Sequence, residues 1–204
     1  MPDDYLNAAD YCRKLSDLLL NTQMTSRKGS LLSEIPFNEG AKKAVDLILS
    51  AKTNSAKILL LGNGGSAAIA SHIQNDLCDS IGVRAMVFNE APFLTAVAND
   101  HGYETFFEQA VKLWAEAEDV LIAISSSGKS ENILRAVRLA REKNVQIITF
   151  SGFLSNNPLR QLGDFNFYIS SQEYGFVETS HAVLGHFLTD CALKLSQQTA
   201  KSIG

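Results

Sequence analysis

From Asp4 to about Met24 the apolar positions Tyr5, Ala8, Cys12, Leu15 and Leu19 recur at alternating intervals of three and four residues, the spacing of a helix with one apolar face. Such a face needs a partner. The pattern predicts a second helix from Glu34 or Asn38 to Ser50 and then changes character. Short, nearly continuous apolar runs at Ile58–Leu61, Ala85–Phe88, Val120–Ile124, Ile147–Phe150 and Phe165–Ile169 follow, with helical stretches between most of them, and a last helix runs from about Val177 to Gln197. Runs that are apolar at successive positions suit strands covered on both faces. Their alternation with helices predicts an α/β fold around a parallel sheet with right-handed crossovers. No internal repeat, low-complexity stretch or linker interrupts the pattern, and the Asn156-Asn157 pair before Pro158 reads as a turn.

Composition narrows the partners. A chain of 204 residues that is 46% hydrophobic can bury a full core, so one domain with a helical extension is expected. The net charge of -4, with no Lys/Arg run longer than two residues, gives no field for nucleic acid. Cys12, Cys78 and Cys191 are widely spaced and odd in number, which indicates neither a disulfide framework nor a zinc ribbon and fits a reducing cytoplasm. The opening MPDDYLNAADYCRKL is acidic and amphipathic rather than basic and then apolar, and no apolar run reaches the ~20 residues of a membrane span. The expectation is a protein that is neither exported nor membrane-bound.

Ligands of open parallel sheets sit beyond the carboxyl ends of the strands. Two loops have chemistry for that place. Gly62-Asn63-Gly64-Gly65-Ser66 follows the first strand, with a helix starting at about Ser66; its glycines permit close backbone approach to a ligand or serve a tight turn alone. Ser125-Ser126-Ser127-Gly128-Lys129-Ser130 follows the third strand and opens onto a helix. Several hydroxyls at a helix amino terminus offer neutral donors and a positive dipole end, as a phosphate dianion requires, whereas capping needs one hydroxyl only. Lys129 either adds charge there or points to solvent. Neither a Walker loop nor a dinucleotide fingerprint is present, so no nucleotide cofactor is expected.

His72 and Asp76, four residues apart, share a helix face, and Glu178 and His186, eight apart on the last helix, lie about 80° apart around its axis. Two imidazoles and two carboxylates suit general acid–base work or a divalent metal, with the histidines favouring zinc. His101 and His181 read as ordinary structural histidines. Asn99 and Asp100, after another apolar run, either bind sugar hydroxyls or cap a helix.

GNGGS, AND-x-GYE-x-x-F, SSSGKSENI and the terminal E-x-x-H-x-x-x-x-H resemble, in this order and from about residue 5 to 195, the SIS (sugar isomerase) family and within it the phosphoheptose isomerases. The resemblance implies a three-layer, flavodoxin-like five-stranded parallel sheet. Residues 1–50 would form a helical extension used in oligomerisation and 51–204 the sheet core and last helix of a single SIS domain. It implies a homotetramer with shared active sites, and aldose–ketose isomerisation of sedoheptulose 7-phosphate through a cis-enediol for bacterial surface polysaccharide. By resemblance Asn63, Gly64, Gly65 and Ser66 contact sugar, Asn99 and Asp100 its hydroxyls, and Ser125, Ser126, Ser127 and Ser130 the phosphate. His186 matches the catalytic histidine and His72 a metal-site histidine. The family's catalytic Glu is Asp76 here and its Gln in the last helix is Glu178. Asp76 and Glu178 are therefore expected to share or exchange the base role, with Glu178 also reaching substrate, and His72, Asp76, Glu178 and His186 to hold one divalent metal, zinc above others. Two further readings compete: a non-catalytic phosphosugar-binding relative of the replication-initiator-binding type, and an isomerase for a different phosphosugar.

Overall fold

A computed structural model of the protein describes residues 7–203, and side-chain surroundings for 7–198. Among the described residues, seven strands and seven α-helices are arranged in three layers. The helices are α1 (Ala8–Leu20), α2 (Phe37–Thr53), α3 (Gly65–Asn75), α4 (Ala91–His101), α5 (Phe106–Trp114), α6 (Glu131–Glu142) and α7 (Tyr174–Ile203). The strands are β1 (Gln23–Lys28), β2 (Leu31–Ile35), β3 (Lys57–Gly62), β4 (Arg84–Val87), β5 (Val120–Ser125), β6 (Gln146–Ser151) and β7 (Phe165–Tyr168). They order as β2-β1-β7-β6-β5-β3-β4. The five parallel strands correspond to the five apolar runs, and β4-β3-β5-β6-β7 is the flavodoxin-like order.

Each central strand sends alternate residues to opposite faces. Ile58, Leu60, Ile122, Ile124, Ile148 and Phe150 join one core with residues of α2, α3 and α7. Leu59, Leu61, Leu121, Ala123 and Ile147 join a second core with residues of α5 and α6. A strand buried on both sides has no polar face to show, which is why these segments read as unbroken apolar runs.

The amino-terminal region differs from the all-helical extension expected. The helix predicted from Asp4 to Met24 spans Ala8–Leu20, started by the Asn7 side chain accepting from Ala9 N at 2.9 Å, while Asp4 and Tyr5 lie outside the described residues. Residues 23–35 form a hairpin whose β1 pairs antiparallel with β7, so the sheet has seven strands instead of five. Only Met24 of β1 is fully buried, between Ile35 and Phe167 in register. A single buried position in the two strands of the hairpin leaves almost no alternation to read. The closing residues Gly29-Ser30, with Gly29 at φ +62, are the one local signal.

The helix after β3 packs on one face of the sheet and the helix after β5 on the other. The chain therefore opens a crevice between the carboxyl ends of β3 and β5, where the amino termini of α3 and α6 converge.

Candidate active site

The crevice holds a cavity of about 250 Å³ whose lining includes Asn63, Ser66, Ser125, Ser126, Ser130 and Glu178. Gly64, Gly65 and Ser127 complete the loop residues expected there. Ser125 and Ser126 are each 5% exposed, and the Ser126 hydroxyl is buried without a protein partner. A buried hydroxyl lacking a partner costs free energy unless a ligand satisfies it. Ser130 occupies the N-cap position of α6 yet makes no side-chain capping bond; its Oγ stands 3.3 Å from Ser125 Oγ. The Ser130 hydroxyl is thus not consumed by the helix end, while Ser125 Oγ accepts from Gly128 N at 3.2 Å within the loop. Lys129 is exposed and does not line the cavity; its backbone N–H donates to Ser127 Oγ at 3.3 Å.

The serine loop is held from behind. Gly128, at φ +62, donates its N–H to Ser125 O at 3.1 Å and accepts from Leu159 N at 3.1 Å, while Ser126 O accepts from Gly152 N at 3.0 Å. Asn157, 1% exposed, fills the space beside Gly128, where a Cβ would overlap its amide oxygen. Asn157 donates to Ser151 Oγ and Gly152 O and accepts from Arg160 N at 2.9 Å. The Asn-Pro segment read as a simple turn is therefore the buttress of the loop. Nothing in its local sequence announces a contact made across the fold.

On the other side α3 and α7 pack together. A Cβ on Gly65 would overlap the Glu178 carboxylate, so glycine there lets that carboxylate lie against the amino terminus of α3. Farther along the same two helices, His72, Asp76 and His186 come together: Asp76 Oδ2 lies 3.3 Å from His186 Nδ1, and Asp76 Oδ1 3.9 Å from His72 Nε2. The two imidazole rings meet edge-on at 4.6 Å, and Thr189 Oγ1 lies 3.4 Å from Asp76 Oδ2. Asp76 opens a π-helical turn, Asp76–Ile81, a helix irregularity frequent at functional sites. The histidines are open to solvent, with side chains 59% and 52% exposed, beside a cleft of about 240 Å³.

Two expected residue groupings do not form. Glu178 stays out of the His72, Asp76 and His186 group, because eight residues of helix set it about 12 Å from His186 along α7. Sharing the base role between Asp76 and Glu178 lacks support from this arrangement. Asn99 and Asp100 lie inside α4 near its end, exposed, with Asn99 Nδ2 donating to Asp100 Oδ1 at 2.8 Å, and neither lines the serine-loop cavity. His181 is wholly buried, with Nε2 3.2 Å from Ser151 O, and burial pushes its pKa down to about 4.

Residues 29–152 match the family described as the SIS domain. A phosphoheptose isomerase from Helicobacter pylori (strain P12) is 31% identical over 182 residues, covering 86% of this chain and 94% of that protein. The chain belongs to the phosphoheptose isomerase family. A phosphoheptose isomerase from Mycobacterium bovis (strain BCG / Pasteur 1173P2) is 34% identical over 170 residues, covering 80% of this chain and 86% of that one. The solved phosphoheptose isomerase from Neisseria gonorrhoeae superposes with a TM-score of 0.76 at 26% identity, covering 90% of this chain and 96% of that one. The phosphoheptose isomerase from Francisella tularensis shares the fold, with a TM-score of 0.76 at 22% identity. Among the described residues, the one group of three or more side chains suited to holding a metal is His72, Asp76 and His186, whose ligand atoms all lie within 4.8 Å of one another. Two imidazoles and a carboxylate are a donor set of the three-ligand zinc type, with a further position left open.

Proposed function

We propose that the protein interconverts sedoheptulose 7-phosphate and D-glycero-D-manno-heptose 7-phosphate, supplying heptose for bacterial surface polysaccharide. Membership of the phosphoheptose isomerase family makes it an aldose–ketose isomerase. The observation that carries the reading is a pair of chemistries set along the α3–α7 packing: anion-suited hydroxyls in the cavity at the β3–β5 crevice and, beside a separate cleft, a carboxylate–imidazole pair. The phosphate seats against Ser125, Ser126, Ser127 and Ser130 at the amino terminus of α6, and Asn63, Gly64, Gly65, Ser66 and Glu178 meet the adjoining sugar chain.

In the ketose-to-aldose direction the Asp76 carboxylate takes a proton from C1, the C1–H electrons form the C1–C2 double bond, and the carbonyl electrons move to O2. His186 delivers a proton to O2, giving the cis-enediol. His186 then removes the O1 proton while C2 regains a proton from Asp76, leaving an aldehyde at C1 and a hydroxyl at C2. A divalent ion held by His72, Asp76 and His186, zinc by the donor set, would supply Lewis-acid polarisation of the sugar oxygens when bound. Asp76 turns one carboxylate oxygen toward each histidine.

The assembly belongs to the same reading. Among its described residues α1 buries none fully: Tyr11 stacks on Phe176 and Leu18 and Leu19 pack against the core, while Cys12 is exposed and Leu15 half-buried, so the helix is only partly covered within the chain. A homotetramer would complete that cover. Among the described residues no helix is long and apolar enough to cross a membrane, in keeping with a cytoplasmic enzyme. Incubation with sedoheptulose 7-phosphate in deuterated water should yield the aldose with deuterium at C2. Wild-type turnover no faster than that of His186→Ala would sink the assignment.

A further inference from the structure

The GYE segment places Tyr103 beside the crevice, and Asn132 sits in the first turn of α6; the reaction above gives work to neither. Both bond to Asn63, a cavity-lining residue. Asn63 and Asn132 face each other as a reciprocal amide pair, with Asn63 Nδ2 donating to Asn132 Oδ1 at 2.9 Å and Asn132 Nδ2 donating to Asn63 Oδ1 at 2.9 Å. Asn132 is 3% exposed, and the Tyr103 hydroxyl donates to Asn63 Oδ1 at 2.9 Å.

The direction of this chain is decided at its buried end. Asn132 Oδ1 lies 3.0 Å from Ile133 N, an N–H shared with Ser130 O. A backbone N–H can only donate, so the atom of Asn132 facing it must be the oxygen. Turning Asn132 over would set an NH₂ against that N–H. With Asn132 fixed, the reciprocal pair fixes Asn63. Its oxygen then accepts from both Asn132 and Tyr103, which fills its two lone pairs, and its nitrogen spends one hydrogen on Asn132. One N–H is all that Asn63 has left.

We infer that Asn132 and Tyr103 are positioning residues that tie the glycine loop to the serine loop and hold Asn63 as a one-way hydrogen-bond donor to an oxygen of the bound phosphosugar. The inference rests on the proposed phosphosugar site. Asn63 can then reward an ester or hydroxyl oxygen and has no acceptor to offer an amine at the same place. Binding also avoids the rotamer cost of ordering a free amide.

The test is a double-mutant cycle of Tyr103→Phe with Asn63→Ala, read as KM and kcat for sedoheptulose 7-phosphate and as Kd for that sugar and for inorganic phosphate. Tyr103→Phe keeps the ring of a side chain 48% exposed. It should raise KM about three- to tenfold, as loss of one hydrogen bond does, with kcat nearly unchanged and thermal stability intact. In the Asn63→Ala background the same change should have no further effect. Asn132→Ala should act in the same direction, with its Tm measured because the side chain is buried. Equal effects of Tyr103→Phe in both backgrounds, or none in either, would overturn the inference. If wild type binds the sugar without turning it over, the isomerase assignment falls and the cycle still decides this inference on Kd. Binding neither sugar nor phosphate would overturn both.

Discussion

The serine loop and the histidine cluster line two separate cavities and are built in opposite ways. Around Ser125–Ser130 the backbone is anchored by Gly152 and Leu159, wedged by Asn157 and largely buried before any ligand arrives. Around Asp76 the two histidines are more than half exposed and meet the carboxylate at 3.3 and 3.9 Å, and Thr189 Oγ1 lies 3.4 Å from the same carboxylate. A phosphate changes little during the reaction, so a preorganised cradle serves it throughout. Proton transfer needs groups that tighten only with substrate present, and apo contacts of this kind are commonly long.

The comparison breaks first at His186. His186→Ala should lower kcat on the order of a thousandfold, within the usual span for losing a general acid–base group, while the Kd for inorganic phosphate holds. A matching loss of phosphate binding would mean that the two regions are not separable.

His181, wholly buried on α7, tests stability rather than chemistry. The unfolded chain binds its proton near pH 6.5 and the native chain only near 4. Unfolding therefore takes up a proton in that window, and stability falls as pH falls through it, by up to about 3 kcal/mol, and is flat on this account above pH 7. His181→Gln should flatten the pH dependence of the denaturant midpoint; an unchanged slope would exclude His181 as its source.

Metal binding should follow the open cluster alone. Asp76→Asn should weaken zinc binding, measured calorimetrically on chelator-treated protein, by more than about tenfold, and leave phosphate affinity alone. Absence of stoichiometric zinc binding by wild type would remove the ion from the site.

At the rigid end, Gly128→Ala forces a side chain into a left-handed conformation and onto Asn157. Phosphate affinity should fall about tenfold with some loss of Tm, since the strain is of order 1–2 kcal/mol. Lys129→Ala should change the phosphate Kd by less than about twofold, because an exposed charge off the cavity contributes little. A large Lys129 effect would show that charge, rather than the hydroxyl cradle, holds the anion.

The five parallel strands and both loops were readable because their signals are local. Ile58–Leu61 and Val120–Ile124 are apolar at every position since both faces are covered, and four serines before a helix exceed what capping needs. The β1–β2 hairpin carries no such local signal, because a single buried Met24 gives no alternation and its pairing with β7 comes from the far end of the chain. Asn157 and Asn132 were invisible for the same reason: an asparagine at a loop or helix start has a sufficient local explanation, and only the fold brings it to Gly128 or Asn63.

The residues alone determined the α/β alternation, the phosphate-suited loop and the candidate acid–base side chains, through periodicity and side-chain chemistry carried within a few turns of chain. Tertiary structure decided how those side chains divide. Spacing along a helix gives an angle without saying what stands opposite, so Glu178 and His186 could be read as one group. The packing of α3 on α7 sends Glu178 to Gly65 and His186 to Asp76, because each turn of helix advances the contact along the two helices.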